Sequence, residues 1–295
     1  MSDLFTATTA AQVEEALARG ENIEEKRGDW PATTPLISAC QRGELEVVDC
    51  LLNHGADPNH FVPLSFGPIQ RAAKEGHAAI VERLVRAGAN INSNQQDKEP
   101  TALIIASEEG HVDVVDCLLS LGADTEIRGR NGRTALMVAG LRGRIDVVDR
   151  LLAAGCNTHV LDREKTTSLM LAAFGGHVAI IDRLVVHGAD LNCQNSNGWN
   201  ALMYASENGR IEAVDRLLSL SCDVDSRNFF GKTALMIASS GGKIGVVKLL
   251  LDHGADPFIH DRSRQTAIDL TSSPEIKTLL NGLILLSFHH HHHVP

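Results

Sequence analysis

Glycine recurs at a fixed spacing along almost the whole of this 295-residue chain. One series has intervals of 33 or 34 residues: Gly43, Gly76, Gly110, Gly143, Gly176, Gly209 and Gly242. A second series has the same period, with Ser221 in its one missing place: Gly55, Gly88, Gly122, Gly155, Gly188 and Gly254. Such a period predicts an array of small units that bury their faces against their neighbours, and it argues against one compact globule.

Two amphipathic helical patterns lie inside each unit. In the unit that begins at residue 129, Leu136 and Ala139 share one face of a short first helix. The second helix is marked by apolar residues at helical spacing: Val147, Val148, Leu151 and Leu152. Gly143 permits a tight reversal between the helices, and Gly155 stands where the second helix ends. Residues 156–166 are mostly polar and predict a projecting loop before the next unit.

These patterns resemble the ankyrin repeat family, and the first unit is nearly a family consensus. The matching residues there are Thr34, Pro35, Leu36, Ala39, Gly43, Val47, Val48, Leu51, Leu52, Gly55, Ala56, Asp57, Pro58 and Asn59. The resemblance covers nearly the whole natural chain. It implies an all-α solenoid of stacked helix–turn–helix units with projecting β-hairpin-like loops.

The same resemblance divides the chain into four parts. Residues 1–28 are predicted to form an N-terminal capping half-repeat, and residues 29–260 seven full repeats that start near 29, 62, 96, 129, 162, 195 and 228. Residues 261–281 are predicted to form a C-terminal capping repeat, which Pro274 shortens. Residues 282–295 form a tail whose five histidines, His289 to His293, resemble a purification tag. Caps at both ends favour a complete array.

Composition limits the core and the class of partner. Only 4% of residues are aromatic although 43% are hydrophobic, so the core must consist mainly of Leu, Ile, Val and Ala. The net charge of −10 argues against a generic binder of nucleic-acid phosphates. No secretory signal or apolar run of roughly 18 residues is present, so we expect an intracellular, cytoplasmic protein without membrane contact.

Three departures from the family pattern carry expectations. Methionine replaces the usual histidine of the first helix in four successive repeats, at Met137, Met170, Met203 and Met236. We favour inter-repeat packing for this methionine column over an adaptable binding stripe. Gly67 replaces threonine after residues 61–66, so the turn of the second repeat should be irregular. Ser221 should cost its repeat about 1 kcal/mol, because only glycine adopts the left-handed conformation freely.

No pattern of catalytic or metal-binding residues is present. The six cysteines form no CxxC pair and are interpreted as reduced, mostly packed thiols. His77, His111 and His177 share one position directly after a glycine, which favours a structural role. A carboxylate recurs on the second helices and is often followed by arginine, which predicts ion pairs between neighbouring repeats, each worth about 0–1 kcal/mol. We therefore predict a non-enzymatic protein without cofactor or metal.

Exposed positions on the loops and first helices form the predicted binding face. In ankyrin-like arrays this face is concave and carries recognition. The few aromatic residues concentrate there, and the fourth repeat adds arginines that suit a carboxylate-bearing partner. The predicted partner-binding residues are Phe174, Trp199, Tyr204, Phe229, Phe230, Arg130, Arg133, Arg142, Trp30 and Phe66. The alternative is a structural role, in which Trp30 shields the N-terminal cap and Phe229 and Phe230 fold onto the preceding loop.

The predicted function is a monomeric scaffold or adaptor that binds a protein or peptide on its concave face. One alternative is a regulatory subunit that inhibits or targets a catalytic partner. Another is that the chain is the substrate of an asparagine hydroxylase, as in similar repeats. The asparagines at the matching positions are Asn59, Asn92 and Asn192.

Overall fold

The computed structural model describes residues 1–28, 31–94 and 99–291. Across these residues the chain is all-α, with seventeen α-helices and no strand, and a single isolated β-bridge pairs Arg27 with Thr33. The chain forms two compact units: Met1–Ala139 with Asp146–Cys156, and Gly140–Ile145 with Asn157–Pro295.

Helices alternate between an inner and an outer layer along the chain. Up to the division between the units they are α1 Ala10–Ala18, α2 Pro35–Arg42, α3 Leu45–Asn53, α4 Pro68–Glu75, α5 Ala78–Arg86, α6 Ala102–Glu109, α7 Val112–Ser120, α8 Ala135–Arg142 and α9 Ile145–Ala153. The later helices are α10 Ser168–Gly175, α11 Val178–Val186, α12 Ala201–Glu207, α13 Ile211–Ser219, α14 Ala234–Ser240, α15 Ile244–Asp252, α16 Ala267–Leu270 and α17 Pro274–His291.

Most first helices of the repeats begin at a capping side chain and end at a left-handed glycine, whereas α4 begins at Gly67, which has no capping side chain. The Thr34 hydroxyl accepts a hydrogen bond from the backbone N–H of Ile37, and Asn200 does the same for Met203. Gly43 ends α2 with φ +75°, a conformation that lets the chain reverse at once into α3. Ser221 has φ +65°, so the predicted left-handed serine is confirmed.

Inner helices stack on inner helices, and outer helices on outer ones, within each unit. In the first unit α2 packs on α4 and α4 on α6, and in the second unit α10, α12, α14 and α16 pack in order. The leucines of the inner helices are buried, as predicted for an aliphatic core. The methionine column is at most 1% exposed, so the packing interpretation of these four residues is confirmed.

Four loops of the second unit form hairpin-like turns around a buried Asp or Asn. The side-chain oxygen of Asn195 accepts hydrogen bonds from the backbone N–H groups of Asn197 and Trp199, both at 3.0 Å. Three other loops repeat this arrangement around Asp162, Asn228 and Asp261. Backbone hydrogen bonds join the tips of these four loops in order along the chain. In one of them, the Phe229 N–H donates to the Asn197 carbonyl oxygen at 3.1 Å.

Two side-chain series join neighbouring repeats, as the sequence predicts. The His177 ring lies against Gly143, and its Nε2 is 3.0 Å from the Leu141 carbonyl oxygen. On the outer helices Arg83 pairs with Asp49 at 2.6 Å, and the same ladder recurs at Arg150–Asp116 and Arg216–Asp182. All six cysteines are free thiols, of which Cys40, Cys50 and Cys156 are buried.

Helix α17 continues beyond the predicted cap. It begins at Pro274 and reaches His291, so residues 282–291 extend the cap as helix. Leu285, Leu286 and Phe288 lie exposed on this extension.

Candidate functional site

Three predicted aromatic residues meet in the second unit, and we call Phe174, Trp199 and Tyr204 the aromatic patch. The Trp199 and Tyr204 ring centroids are 5.1 Å apart, and Phe174 meets Tyr204 edge to face at 6.1 Å. Phe174 is 41% exposed, while Trp199 and Tyr204 are partly buried. The patch therefore presents preassembled aromatic surface to solvent.

Asn195, in the loop that precedes α12, holds Trp199 and Tyr204 in place by hydrogen bonds. Its amide nitrogen donates to the Tyr204 hydroxyl oxygen at 2.6 Å, while its amide oxygen holds the backbone of Trp199. Burial raises the pKa of Tyr204 above its ordinary value, so the phenol stays protonated at neutral pH. Both large rings of the sixth repeat are thereby held by one buried side chain.

Phe229 and Phe230 project from the next loop. Their side chains are 50% and 60% exposed. Phe229 lies close to Gly198 of the preceding loop, where a Cβ atom would approach its ring to 2.6 Å. Phe230 carries no ring contact to the aromatic patch within the described residues, so the predicted cluster is continuous only from Phe174 to Trp199 through Tyr204.

The predicted arginines divide between the two units. Arg130 and Arg133 line a cleft of the first unit together with Phe66, and we call this the basic cleft. Arg142 belongs to the second unit. Trp30 lies outside the described residues.

The candidate asparagines serve as hydrogen-bonding links between loops. Asn59 Oδ1 accepts from the Asn90 backbone, and its amide donates to the Gly88 carbonyl. Asn92 and Asn192 accept from the backbone N–H of Asp124 and Asp223, both at 2.9 Å. These three amides already have structural partners.

Two other kinds of functional feature, a metal site and a membrane-spanning helix, have no candidate among the described residues. Among the described residues, no group of three His, Cys, Asp or Glu side chains is placed to hold a metal ion. In the same part of the chain, no helix is both long and apolar enough to cross a membrane.

Models of ankyrin repeats match most of the chain. A model of several consecutive ankyrin repeats matches residues 69–162, 142–228 and 169–261, and a single-repeat model matches residues 33–61. The chain belongs to the ankyrin repeat family. Arrays of this family are generally non-catalytic interaction domains, and the repeats of this chain indicate a protein–protein interaction module.

Curated relatives share only part of their length with this chain. It is 35% identical over 102 residues to the human "Ankyrin repeat and KH domain-containing protein 1", a stretch that is 34% of this chain and 4% of that protein. It is 32% identical over 120 residues to the mouse "Ankyrin repeat and SAM domain-containing protein 6", covering 39% of this chain and 13% of that protein.

A solved structure has the same fold. The crystal structure of the human ASB11 ankyrin repeat domain superposes with a TM-score of 0.68 at 24% identity, covering 73% of this chain and 96% of that one. At this identity the likeness establishes the fold alone.

Two sets of residues that shape these surfaces are not among those predicted from the sequence. The buried Asp and Asn at the loop bases recur every 33 residues, at Asp162, Asn195, Asn228 and Asp261, and this period was a readable signal. The apolar floor of the basic cleft carried no such signal, because Ile104, Ile105 and Val138 have the same pattern as core residues.

Proposed function

We propose that the protein is a non-enzymatic, monomeric scaffold or adaptor that binds a protein partner on its loop and inner-helix face. The aromatic patch of the second unit is the main anchor. Family membership supports protein binding, and the patch supports this location.

One observation carries the location: three aromatic rings are preassembled on a surface whose fold does not require them. Aromatic side chains dominate the energetics of protein interfaces, because they bury large areas with little loss of conformational entropy. The patch is held by Asn195 and the Tyr204 hydroxyl, so a partner would find it ordered before binding.

Phe229 and Phe230 extend the proposed surface along the next loop. Their exposure is costly in water unless a partner covers them, and they belong to the same unit as the patch.

The test uses the full chain with Phe174→Ala and Trp199→Ala together. A partner identified by affinity capture from native cells should bind this variant at least about tenfold more weakly, as expected for interface hot spots. Phe258→Ala is the matched control, because Phe258 is 46% exposed in the same unit and lies outside the patch. Unchanged affinity in the double variant, with its helical content intact, would refute the location.

A further inference from the structure

The basic cleft is a separate surface in the first unit. It has a volume of about 160 Å³. Its lining residues come from the second, third and fourth repeats: Phe66, Lys74, Pro100, Ile104, Ile105, Glu108, Glu109, Arg130, Arg133 and Val138. From this lining we infer that the cleft binds a short acidic protein segment, placing one bulky apolar side chain inside and a neighbouring carboxylate against its arginines. The inference rests on the proposed function, since it assumes protein recognition.

The floor and one wall of the cleft are apolar. Ile104 and Ile105 are 4% and 3% exposed, so they form a packed floor with Pro100. Phe66 is held in place by cations: the Arg71 guanidinium carbon lies 5.3 Å from its ring centroid, and Lys74 Nζ lies 5.9 Å away. A cavity of about 150 Å³ accommodates benzene, so this cleft has room for one Leu or Phe side chain.

The rim is positively charged within an acidic protein. Lys74, Arg130 and Arg133 face the cleft, against Glu108 and Glu109. Lys74 already pairs with Glu109 at 3.5 Å. Arg130 is exposed and has no ion pair within the described residues. Its guanidinium can therefore donate hydrogen bonds to a carboxylate of the bound segment. With a net charge of −10 on the whole chain, a local excess of cations selects an acidic segment.

Two loops that line the cleft differ from the later loops in the residue at their base. Loops of the later repeats are built on a buried Asp or Asn, whereas the equivalent positions here are Val62 and Gly129. The Gly129 loop keeps the backbone hydrogen bonds of the later loops, from Gly129 N–H to Arg133 C=O at 2.9 Å and from Gly132 N–H to Gly129 C=O at 3.1 Å, and Asn131 within it is also left-handed at φ +58°. A Cβ on Gly129 would stand 3.2 Å from Ile104 Cδ1, so this glycine lets the arginine-bearing loop lie against the cleft floor.

An array of synthetic heptapeptides tests the inference. Each peptide has a central Leu, Phe or Trp flanked by Glu or Asp, and matched sets replace either the acidic residues by Lys or the central residue by Ala. Acidic peptides with the central apolar residue should bind the full chain, and binding should weaken as salt is raised. An array in which no acidic peptide binds, or in which the Lys set binds equally well, would overturn the inference.

Charge reversal tests the site. Arg130→Glu should weaken peptide binding at least about tenfold, because it replaces an attractive contact by a repulsive one. Arg86→Glu makes the same change in net charge on the outer helix α5, where Arg86 is 71% exposed, and should leave binding within about twofold. Equal loss in both variants would mean that only total charge matters and would overturn the assignment.

Photo-cross-linking separates this site from the aromatic patch. A peptide with benzoylphenylalanine at its centre should cross-link to segments 61–75, 100–109 or 129–138, and Phe66→Ala should reduce the yield. Cross-links confined to the segment 195–210 would overturn the cleft assignment while leaving the proposed function intact. Conversely, Phe174→Ala with Trp199→Ala should leave the peptide affinity unchanged.

Discussion

At the residue scale, three serines occupy a position that the other repeats fill with Cys, Ala or Gly. Ser107, Ser206 and Ser239 occupy the sixth position after the cap of an inner helix, the position of Ala73 and Ala173 elsewhere. All three hydroxyls are fully buried and have no hydrogen-bond partner among the described residues. A buried polar group without a partner keeps its desolvation cost, so these positions destabilise the array.

Ser206→Ala should therefore raise the free energy of unfolding by about 1 kcal/mol. Urea denaturation followed by circular dichroism measures this change. Ser219→Ala is the control, because the Ser219 hydroxyl is exposed and donates to the carbonyls of its own helix. An equal gain at both positions would show that helix propensity alone is responsible.

The Asp261 carboxylate accepts two backbone hydrogen bonds at the base of its loop and also pairs with Lys232. Backbone N–H donors, first that of Gln265, hold its pKa below the ordinary value of 3.8, and Lys232 Nζ lies 3.4 Å from its second oxygen. A lowered folded-state pKa contributes stability that is fully present above the unfolded value and is lost as pH falls through the folded value.

Asp261→Asn should accordingly destabilise the protein at pH 7, and the difference from the wild type should shrink below about pH 4. The amide oxygen still accepts the two backbone bonds, as it does at Asn195 and Asn228, so the loop itself survives. Denaturation midpoints at several pH values measure the effect. A difference that stays constant down to pH 3 would contradict a role for the ionised carboxylate.

At the element scale, the loops are bound to one another by side chains as well as by backbone. The Asn192 side chain accepts from the Asp223 backbone at 2.9 Å, and Asp225 does the same for Asp256. This link, which also occurs at Asn59 and Asn92, resists separation of neighbouring loops.

Asn192→Ala should lower the free energy of unfolding by about 1 kcal/mol, since it leaves the Asp223 N–H without this partner. Asn192→Asp should cost less, because an aspartate occupies the equivalent place at residue 225 with the same bond. Native-state hydrogen exchange at residue 223 provides the local readout. Unchanged exchange at residue 223 in the Ala variant would mean that the Asn192 side chain is not the essential acceptor.

At the scale of the whole molecule, the chain forms two compact units, each with its own stack of inner helices. Leu103 and Leu202 are equivalent core residues of the first and second unit, and each is 2% exposed. Interactions in a repeat array are made chiefly between nearest neighbours, so the effect of a core change is greatest nearby.

Leu202→Ala should therefore move the unfolding transition seen by Trp199 fluorescence further than Leu103→Ala does. Each change should cost about 2–5 kcal/mol locally. A Trp30→Phe background removes the second tryptophan from the signal. Equal shifts for both variants would show that the whole array unfolds as one cooperative block.

The repeating sequence pattern predicts an all-α array, an aliphatic core and the ankyrin repeat family, and the structure and the family models confirm all three. A 33-residue period assigns each apolar residue to a helix face, and repetition over seven units makes that assignment secure. The left-handed Ser221, the packed methionine column and the Asp–Arg ladder all follow from position within the repeat.

Only the tertiary structure decided which loop residues meet. Trp199 and Tyr204 are joined through the buried amide of Asn195, and Phe66 shares a cleft with Arg130 although 64 positions separate them in the sequence. The physical reason is that periodicity specifies helix faces, whereas a loop side chain is directed by local backbone dihedrals and by its neighbours' volume. Gly129 stands where the later loops have a buried Asp or Asn, and its lack of a side chain lets the loop that carries Arg130 and Arg133 lie against Ile104 and Pro100.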